Sequence, residues 1–310
     1  MRIGRAGALT DTGRRRTQNE DTFVCEPPLF AVADGVGGAQ AGEIASRLAA
    51  TALEERLPGA YGEDTLAALL RVANERIYQH SLDDRTTAGM GTVVTALLVD
   101  EAHGALAVGH VGDSRAYRVR DGQLEQLTTD HSLVGELVRT GRLSAEEAEQ
   151  HPHRSVITRA VGTEATVAVD TFTITTAPGD LYLICSDGLT DVVRDHEIVS
   201  LIAAADGDPH AAAESLVDAA NRGGGIDNIT AVLFEIVEGE PAPAPARVAA
   251  VPEEATADPE LPEADTEAVT APAAEVRRHG PGDGNRWLAL AAIVLALVAA
   301  TLLVWWGLTR

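Results

Sequence analysis

The 310-residue chain contains no lysine, and all 24 of its basic side chains are arginine. That absence excludes the phosphate-binding loop ending in Gly-Lys-Ser/Thr, and any mechanism built on a lysine Schiff base. Cysteine is nearly missing as well. Two of them can form neither a disulfide framework nor a four-thiolate zinc site. A cysteine phosphatase needs Arg six residues after its Cys, but Ala31 follows Cys25 and Asp191 follows Cys185 at that spacing. Two free thiols in apolar strands suit a reducing compartment, where they serve as small core residues. Basic charge is scarce beside acidic charge, 24 against 47 residues for a net −23. Such a chain is a poor match for a phosphate backbone, so no nucleic-acid partner is expected. Aromatic residues make up only 4%, yet 45% of the chain is hydrophobic, enough to build a core.

The acidity is unevenly spread. Residues 1–237 carry 36 acids and 19 arginines, and this part is read as the folded domain. Residues 238–286 hold 11 acids and 8 of the 14 prolines, including Pro241-Ala-Pro-Ala-Pro245. That composition buries too little apolar surface to offset chain entropy, and predicts a disordered linker. As a flexible coil it would reach on the order of 40 Å. Residues 287–308, Trp-Leu-Ala-Leu through Trp-Trp-Gly-Leu, hold no charge. At ~1.5 Å per residue they make roughly 33 Å of helix, enough for a ~30 Å hydrocarbon layer. Trp287, Trp305 and Trp306 stand at the two ends, where lipid interfaces favour tryptophan. Arg277, Arg278 and Arg286 precede the segment and only Arg310 follows. The positive-inside rule therefore predicts a single-pass membrane protein with residues 1–286 in the cytoplasm. The opening MRIGRAGALTDTG lacks the apolar run of a signal peptide, in agreement.

Within the first 237 residues, β-branched runs predict strands near 22–25, 29–33, 92–99, 105–111, 115–119, 167–174, 180–185 and 229–236. Helical spacing predicts helices over 40–57 and 64–82, and a third from Pro209 to just before Gly223. Ser144 and Glu147 form a possible capping box inside a polar insert, residues 130–155. Strands and helices each come in runs, so the fold class is α+β rather than a doubly wound sheet.

One pattern recurs. Leu29-Phe-Ala-Val-Ala-Asp34-Gly35 and Leu181-Tyr-Leu-Ile-Cys-Ser-Asp187-Gly188 are apolar strands that end in Asp-Gly. Asp113 follows a third strand, and Asp227-Asn228 precede the last. Singly, each reads as a turn or a local hydrogen bond. Jointly, four strand-end carboxylates repel unless cations neutralise them, and an all-oxygen set suits Mg²⁺ or Mn²⁺. Glycine after Asp34 would let a carbonyl approach an ion.

These residues resemble a family. Arg16-x-x-Asn19-Glu20-Asp21, Ala33-Asp34-Gly35-Val-Gly-Gly38, Gly89-Met-Gly91-Thr92, Val111-Gly-Asp113-Ser114-Arg115, Ser186-Asp187-Gly188-Leu-Thr-Asp191 and Gly225-Ile-Asp227-Asn228-Ile-Thr look like the ordered motifs of the type 2C (PPM) metal-dependent Ser/Thr protein phosphatases. The similarity is greatest to compact bacterial members and spans residues 4–236. It implies a four-layer αββα sandwich, a central β-sandwich flanked by helices, with one C-terminal transmembrane helix outside the resemblance. Carried over, Asp34 bridges two Mn²⁺ or Mg²⁺ ions, the Gly35 carbonyl binds one, and Asp187 and Asp227 complete the pair. Asp113 helps to hold a weaker third ion. Glu20 and Asp21 orient metal waters, Asn228 steadies its neighbour, and Arg16 forks onto the substrate phosphate. The implied reaction is direct attack of a metal-bridging hydroxide on phosphoserine or phosphothreonine, without a phosphoenzyme. The implied partners are phosphorylated proteins, among them a membrane Ser/Thr kinase.

One departure stands out. Animal members carry His after the Asp-Gly as general acid, and here that position is Val36. His110 is a neighbour in sequence, but a strand histidine is more often structural, and the acid stays unassigned. Thr140-Gly141-Arg142 and His151-Pro-His153-Arg154 lie in the insert, where bacterial members have a mobile flap. Other readings weaken on inspection. Gly112-Asp-Ser114-Arg-Ala116 lacks the last glycine of a serine-hydrolase elbow. Gly35-Val-Gly37-Gly38 breaks dinucleotide-loop spacing at Gln40. A silent, phosphatase-like binding module is the remaining alternative, opposed by the retention of all four aspartates, which are costly to bury. For the membrane reading, the full chain should sediment with membranes and resist carbonate extraction, and a chain cut before Trp287 should not. Full-length protein in the soluble fraction would contradict it.

Overall fold

Alternation along each strand explains the layering. In the strand from Leu29 to Val36, Phe30 and Val32 pack in one apolar cluster, while Leu29, Ala31 and Ala33 pack in another. A strand buried on both faces needs a sheet on one side and helices on the other. The computed structural model describes residues 1–36, 41–56, 59–144, 147–148 and 151–239. The membrane segment over 287–308, and all but the first two residues of the linker, lie outside the described residues. Among the described residues no helix is long and apolar enough to cross a membrane.

Among the described residues, ten strands form two five-stranded antiparallel sheets. In chain order they are β1 (Arg2–Asp11), β2 (Thr22–Glu26), β3 (Leu29–Val36), β4 (Gly91–Asp100), β5 (Ala105–Val111), β6 (Arg115–Arg120), β7 (Gln123–Gln126), β8 (Asp170–Thr175), β9 (Leu181–Cys185) and β10 (Ile229–Val237). One sheet runs β1-β10-β9-β6-β7 and the other β2-β3-β4-β5-β8. The helices are α1 (Ala41–Glu54), α2 (Glu63–Asp83), α3 (Leu133–Arg139), α4 (Asp187–Thr190), α5 (Asp195–Ala204) and α6 (Pro209–Arg222). Ala45, Ala49, Leu53, Leu66, Leu70 and Ile77 of α1 and α2 pack on the outer face of the second sheet. On the first sheet, Ile198 of α5 and Ala213, Leu216 and Val217 of α6 do the same. Between the sheets, Phe30 stacks on Phe234 with ring centroids 3.9 Å apart, and Tyr182 lies 5.1 Å from Phe234. The four layers expected from the sequence are therefore present.

The three long predicted helices and eight strands recur within a few residues. Pro209 opens α6 as expected, with Asp208 accepting the N–H groups of His210 and Ala211. The Ser144–Glu147 box also closes, each side chain accepting the other's backbone N–H at 3.2 and 2.8 Å. Strands β1 and β7, and helices α3, α4 and α5, were not expected. β7 is polar because it lies at a sheet edge. β1 carries Gly7 where α6 begins, and a Cβ there would stand 2.4 Å from the backbone of His210. A glycine placed for close approach breaks the apolar alternation that marks a strand.

Phe234 sits between two aromatic neighbours at the centre of the sandwich, so Phe234→Ala should destabilise the fold by about 3–5 kcal/mol. Urea unfolding of the two proteins measures this. A loss below about 1 kcal/mol would mean that the rings do not form the inter-sheet core.

Candidate metal centre

Register brings the aspartates together. Ala231 of β10 stands opposite Cys185, the last residue of β9, and Arg115, the first of β6, is also opposite Cys185. Asp227, Asp187 and Asp113 therefore leave the first sheet at one end. In the second sheet Asp34 pairs with Val93, and Val111 with Val94. This brings the end of β3 level with the end of β5, from which the chain continues to Asp113. Expected positions from four separate motifs thus share one pole of the sandwich.

Their mutual field confirms that they are neighbours. Asp34 is held well above the usual carboxylate range by desolvation and by the charges of Asp21, Asp187, Asp113 and Asp227. Asp187 is raised likewise, by desolvation and by Asp113, Asp191, Asp227 and Asp21. Asp21 and Asp113 are each pushed up to about 6, chiefly by burial. Glu20 is raised by burial too, with Arg16 working in the opposite direction.

Hydrogen bonds define who holds whom. Oδ2 of Asp21 accepts from the hydroxyls of Thr230 at 2.6 Å and Ser186 at 2.9 Å. Its Oδ1 is buried with no hydrogen-bond partner. Asn228 is fully committed: its Oδ1 accepts the Glu20 N–H at 2.8 Å, and its Nδ2 donates to the carbonyls of Thr12 and Gln18. It ties the segment carrying Arg16, Glu20 and Asp21 to the start of β10, a broader task than steadying its neighbour. The Glu20 carbonyl accepts the Gly35 N–H, and Thr92 donates its hydroxyl to the Asp34 carbonyl at 2.7 Å.

Both Asp-Gly glycines serve close packing. A Cβ on Gly35 would meet the Gly42 backbone of α1 at 2.4 Å, and one on Gly188 would meet the Asn228 carbonyl at 2.0 Å. The turn reading of Asp-Gly fails for both: Gly35 lies inside β3, and Asp187-Gly188 opens α4.

Arg16 is half exposed and donates to Oδ2 of Asp227 at 2.7 Å, while Oδ1 of Asp227 accepts the Asn228 N–H. His110 is buried, with Nδ1 on the Thr95 hydroxyl and Nε2 on the Thr129 carbonyl, and burial lowers it to about 4. Both ring nitrogens are engaged, so it serves the core and not proton transfer. Arg154 of the insert pairs with Asp191 at 3.1 Å. Asp191 had been quoted in a motif without a role. It lies one turn from Asp187, and that i,i+4 spacing was the available signal. Ser186, Thr230 and Thr92 had likewise been quoted in motifs without a role.

An oxygen-only set with an orphaned buried carboxylate oxygen fits hard divalent cations that keep several waters. Among the described residues no three His, Cys, Asp or Glu side chains enclose a single ion. The set suits ions shared between carboxylates, a backbone carbonyl and water.

Comparison with known proteins agrees with this geometry. The family pattern described as protein phosphatase 2C matches residues 14–216. The chain belongs to the protein phosphatase 2C family. It is 42% identical over 241 residues to the serine/threonine protein phosphatase PstP of Mycobacterium tuberculosis, covering 76% of this chain and 45% of that protein. The chain thus spans about half the length of this curated relative. To the serine/threonine phosphatase Stp of Listeria monocytogenes it is 38% identical, covering 73% of this chain and 93% of the relative. The crystal structure of the M. tuberculosis phosphatase superposes with a TM-score of 0.71 at 38% identity, over 76% of this chain and all of that one. A PstP catalytic domain solved with two manganese ions gives 0.70 at 37% identity, over 76% of this chain and 99% of that one.

Folded pKa values of about 6 for Asp21 and Asp113 exceed the ~3.9 of an unfolded aspartate. Between those values the fold binds protons that the unfolded chain does not, so stability falls as pH rises through the window. A divalent cation removes the repulsion. The melting-temperature gain from the cation over EDTA should therefore grow between about pH 5 and about pH 7. His110 acts in the opposite sense at low pH but equally in both conditions, so it cancels. A pH-independent gain in scanning fluorimetry would contradict the cluster.

Proposed function

We propose that this chain dephosphorylates phosphoserine and phosphothreonine in proteins, using two Mn²⁺ or Mg²⁺ ions and a weaker third. The observation that carries the reading is the convergence of Asp34, Asp113, Asp187 and Asp227 at one pole, beside a buried carboxylate oxygen without a partner. Relatives named as serine/threonine protein phosphatases, one of them solved with two manganese ions, support it. Asp34, the Gly35 carbonyl, Asp187 and Asp227 would hold the tight pair, and Asp113 the third ion. Bound ions would activate water for in-line attack on phosphorus and offset the phosphoryl charge.

The protein's own contribution is placement. Asp21 keeps one oxygen on Thr230 and Ser186 and leaves the other to order water in the cluster. Buried Glu20 would do the same beside Gly42, where an added Cβ would stand 2.7 Å from its Oε2. Arg16, released from Asp227, would place its planar fork on the phosphate oxygens, a geometry lysine lacks. With Val36 after the Asp-Gly and His110 engaged in the core, the leaving alkoxide would take its proton from water held in the cluster. The phosphoryl group would pass directly to water, which forms the new P–O bond as the serine or threonine oxygen leaves and phosphate is released.

Residues 287–308 would anchor the enzyme in the membrane with its catalytic domain in the cytoplasm, and the acidic linker would act as spacer. Tethering raises the effective concentration near other membrane proteins. A Ser/Thr kinase in the same bilayer, with its substrates, is the partner proposed.

Purified full-length protein should release phosphate from a phosphothreonine peptide with Mn²⁺ and stop on addition of EDTA. Asp187→Asn should lower the rate by about two orders of magnitude, the scale of losing one charge-stabilising contact at a reacting centre. Equal rates in the two proteins, or none in either, would leave a silent binding module as the reading.

A further inference from the structure

Asp113 does not stand on its own strand. It follows Gly112 in the turn between β5 and β6, and Gly112 has φ = 115°, a conformation that side chains rarely adopt. A Cβ there would fall 2.1 Å from Cβ of Val93. This glycine is gripped from one direction by a single partner. The Gly112 N–H donates to Nδ1 of His131 at 2.9 Å, and the Gly112 carbonyl accepts the His131 N–H at 2.7 Å. His131 is 8% exposed, and its ring is fixed at the far side as well. Nε2 lies 3.1 Å from Oδ2 of Asp170, whose Oδ1 pairs with Arg159 at 2.5 Å.

These contacts settle the tautomer. Nδ1 faces an N–H and must accept, so the ring proton is on Nε2, where it donates to Asp170. Arg159 Nη1 lies 3.1 Å from Nε2, and the two donors share the Asp170 carboxylate. One residue earlier, Asp130 holds Arg115 through Nε at 2.9 Å and Nη2 at 2.7 Å. The segment Gly112–Arg115 is thus clasped at both ends by two consecutive residues, with Asp113 between the clasps. The two histidines of this region differ in this respect. His110, 4.7 Å away ring to ring, bonds to Thr95 and Thr129, and neither is adjacent to a site carboxylate.

The geometry points to His131 as a positioning residue for the metal centre: its Nδ1, oriented by Asp170, holds Gly112 so that Asp113 faces the carboxylate cluster. This rests on the reading that Asp113 holds the weaker ion. Without the acceptor at Nδ1, a buried backbone N–H loses its partner, and the turn relaxes to recover one. Asp113 moves with it. The His131 carbonyl also accepts the Thr158 N–H at 2.8 Å, and the next residue, Ser132, bridges to Ile157. The root of the insert and the placement of Asp113 therefore depend on the same residue. Groups that orient a metal ligand from behind typically contribute ~10–100-fold to metal affinity.

Two amides separate this role from a general need for histidine. Asn presents an oxygen near the position of Nδ1, whereas Gln reaches the position of Nε2 and leaves the Gly112 N–H bare. Mn²⁺ binding to the full-length protein without substrate, followed by the EPR signal of the free ion, gives the number and affinity of bound ions. Asp113→Asn should abolish the weakest site and so mark it. His131→Gln should weaken that site about tenfold and leave the tighter ions unchanged. His131→Asn should stay within about threefold of wild type. Wild-type affinity in His131→Gln, or equal loss in Gln and Asn, overturns the proposal while Asp113 keeps its ion. No change in Asp113→Asn instead refutes the metal role of Asp113, and the purpose given to His131 falls with it. Should His131→Gln fail to fold, Asp170→Ala takes its place. Loss at the weak site is then required, and unchanged affinity overturns the proposal.

Discussion

Like charges crowded at one pole are the constraint on which this structure depends. Desolvation raises the proton affinity of Asp21, Asp34, Asp113 and Asp187, and neighbouring carboxylates add to the effect. Burying carboxylates costs free energy unless partners compensate. The surrounding fold supplies rigid positions for them. Three stand at or just beyond strand ends, and Asp21 directly precedes β2. Small residues let backbones close in behind them, and hydroxyls of Thr92, Ser186 and Thr230 fix the orientation. Divalent cations would relieve the destabilisation at such a cluster.

The sandwich provides that rigidity. Each sheet is buried on both faces, so a strand cannot shift register without moving its apolar residues into the wrong layer. The stacked rings of Phe30, Phe234 and Tyr182 lock the sheets together, and Asn228 then joins the N-terminal arm to the start of β10. Phosphoryl transfer depends mainly on positioning and charge, and a frame of this kind supplies both. The insert is attached to the frame through His131 and through the pair Arg154–Asp191.

Much of this could be read in the residues. The layered α+β fold followed from runs of strands and helices, and Asp34, Asp113, Asp187 and Asp227 from their recurrence at strand ends. What escaped was of two kinds. Strand β1 was missed because Gly7 serves the approach of α6, and a residue chosen for a distant neighbour carries no local periodicity. Arg16 was read as a phosphate ligand, and its pairing with Asp227, 211 residues away in the chain, was not foreseen. His110 and His131 illustrate the second kind. Adjacent in space, they differ only in what their nitrogens reach, which no spacing rule encodes.

The absence of lysine, the scarcity of cysteine and the segregation of acidic charge are properties of composition, and the sequence alone determined them. They excluded whole chemistries before any fold was known. It also pointed to the carboxylates that the fold brings together, since short motifs record where a strand ends in a charged side chain. Only the tertiary structure decided how those carboxylates are held: the orphaned oxygen of Asp21, the triple tether of Asn228, and the histidine behind Asp113. Local sequence records backbone preference over a few residues, whereas each of these depends on hydrogen bonds or burial contributed by segments far apart in the chain.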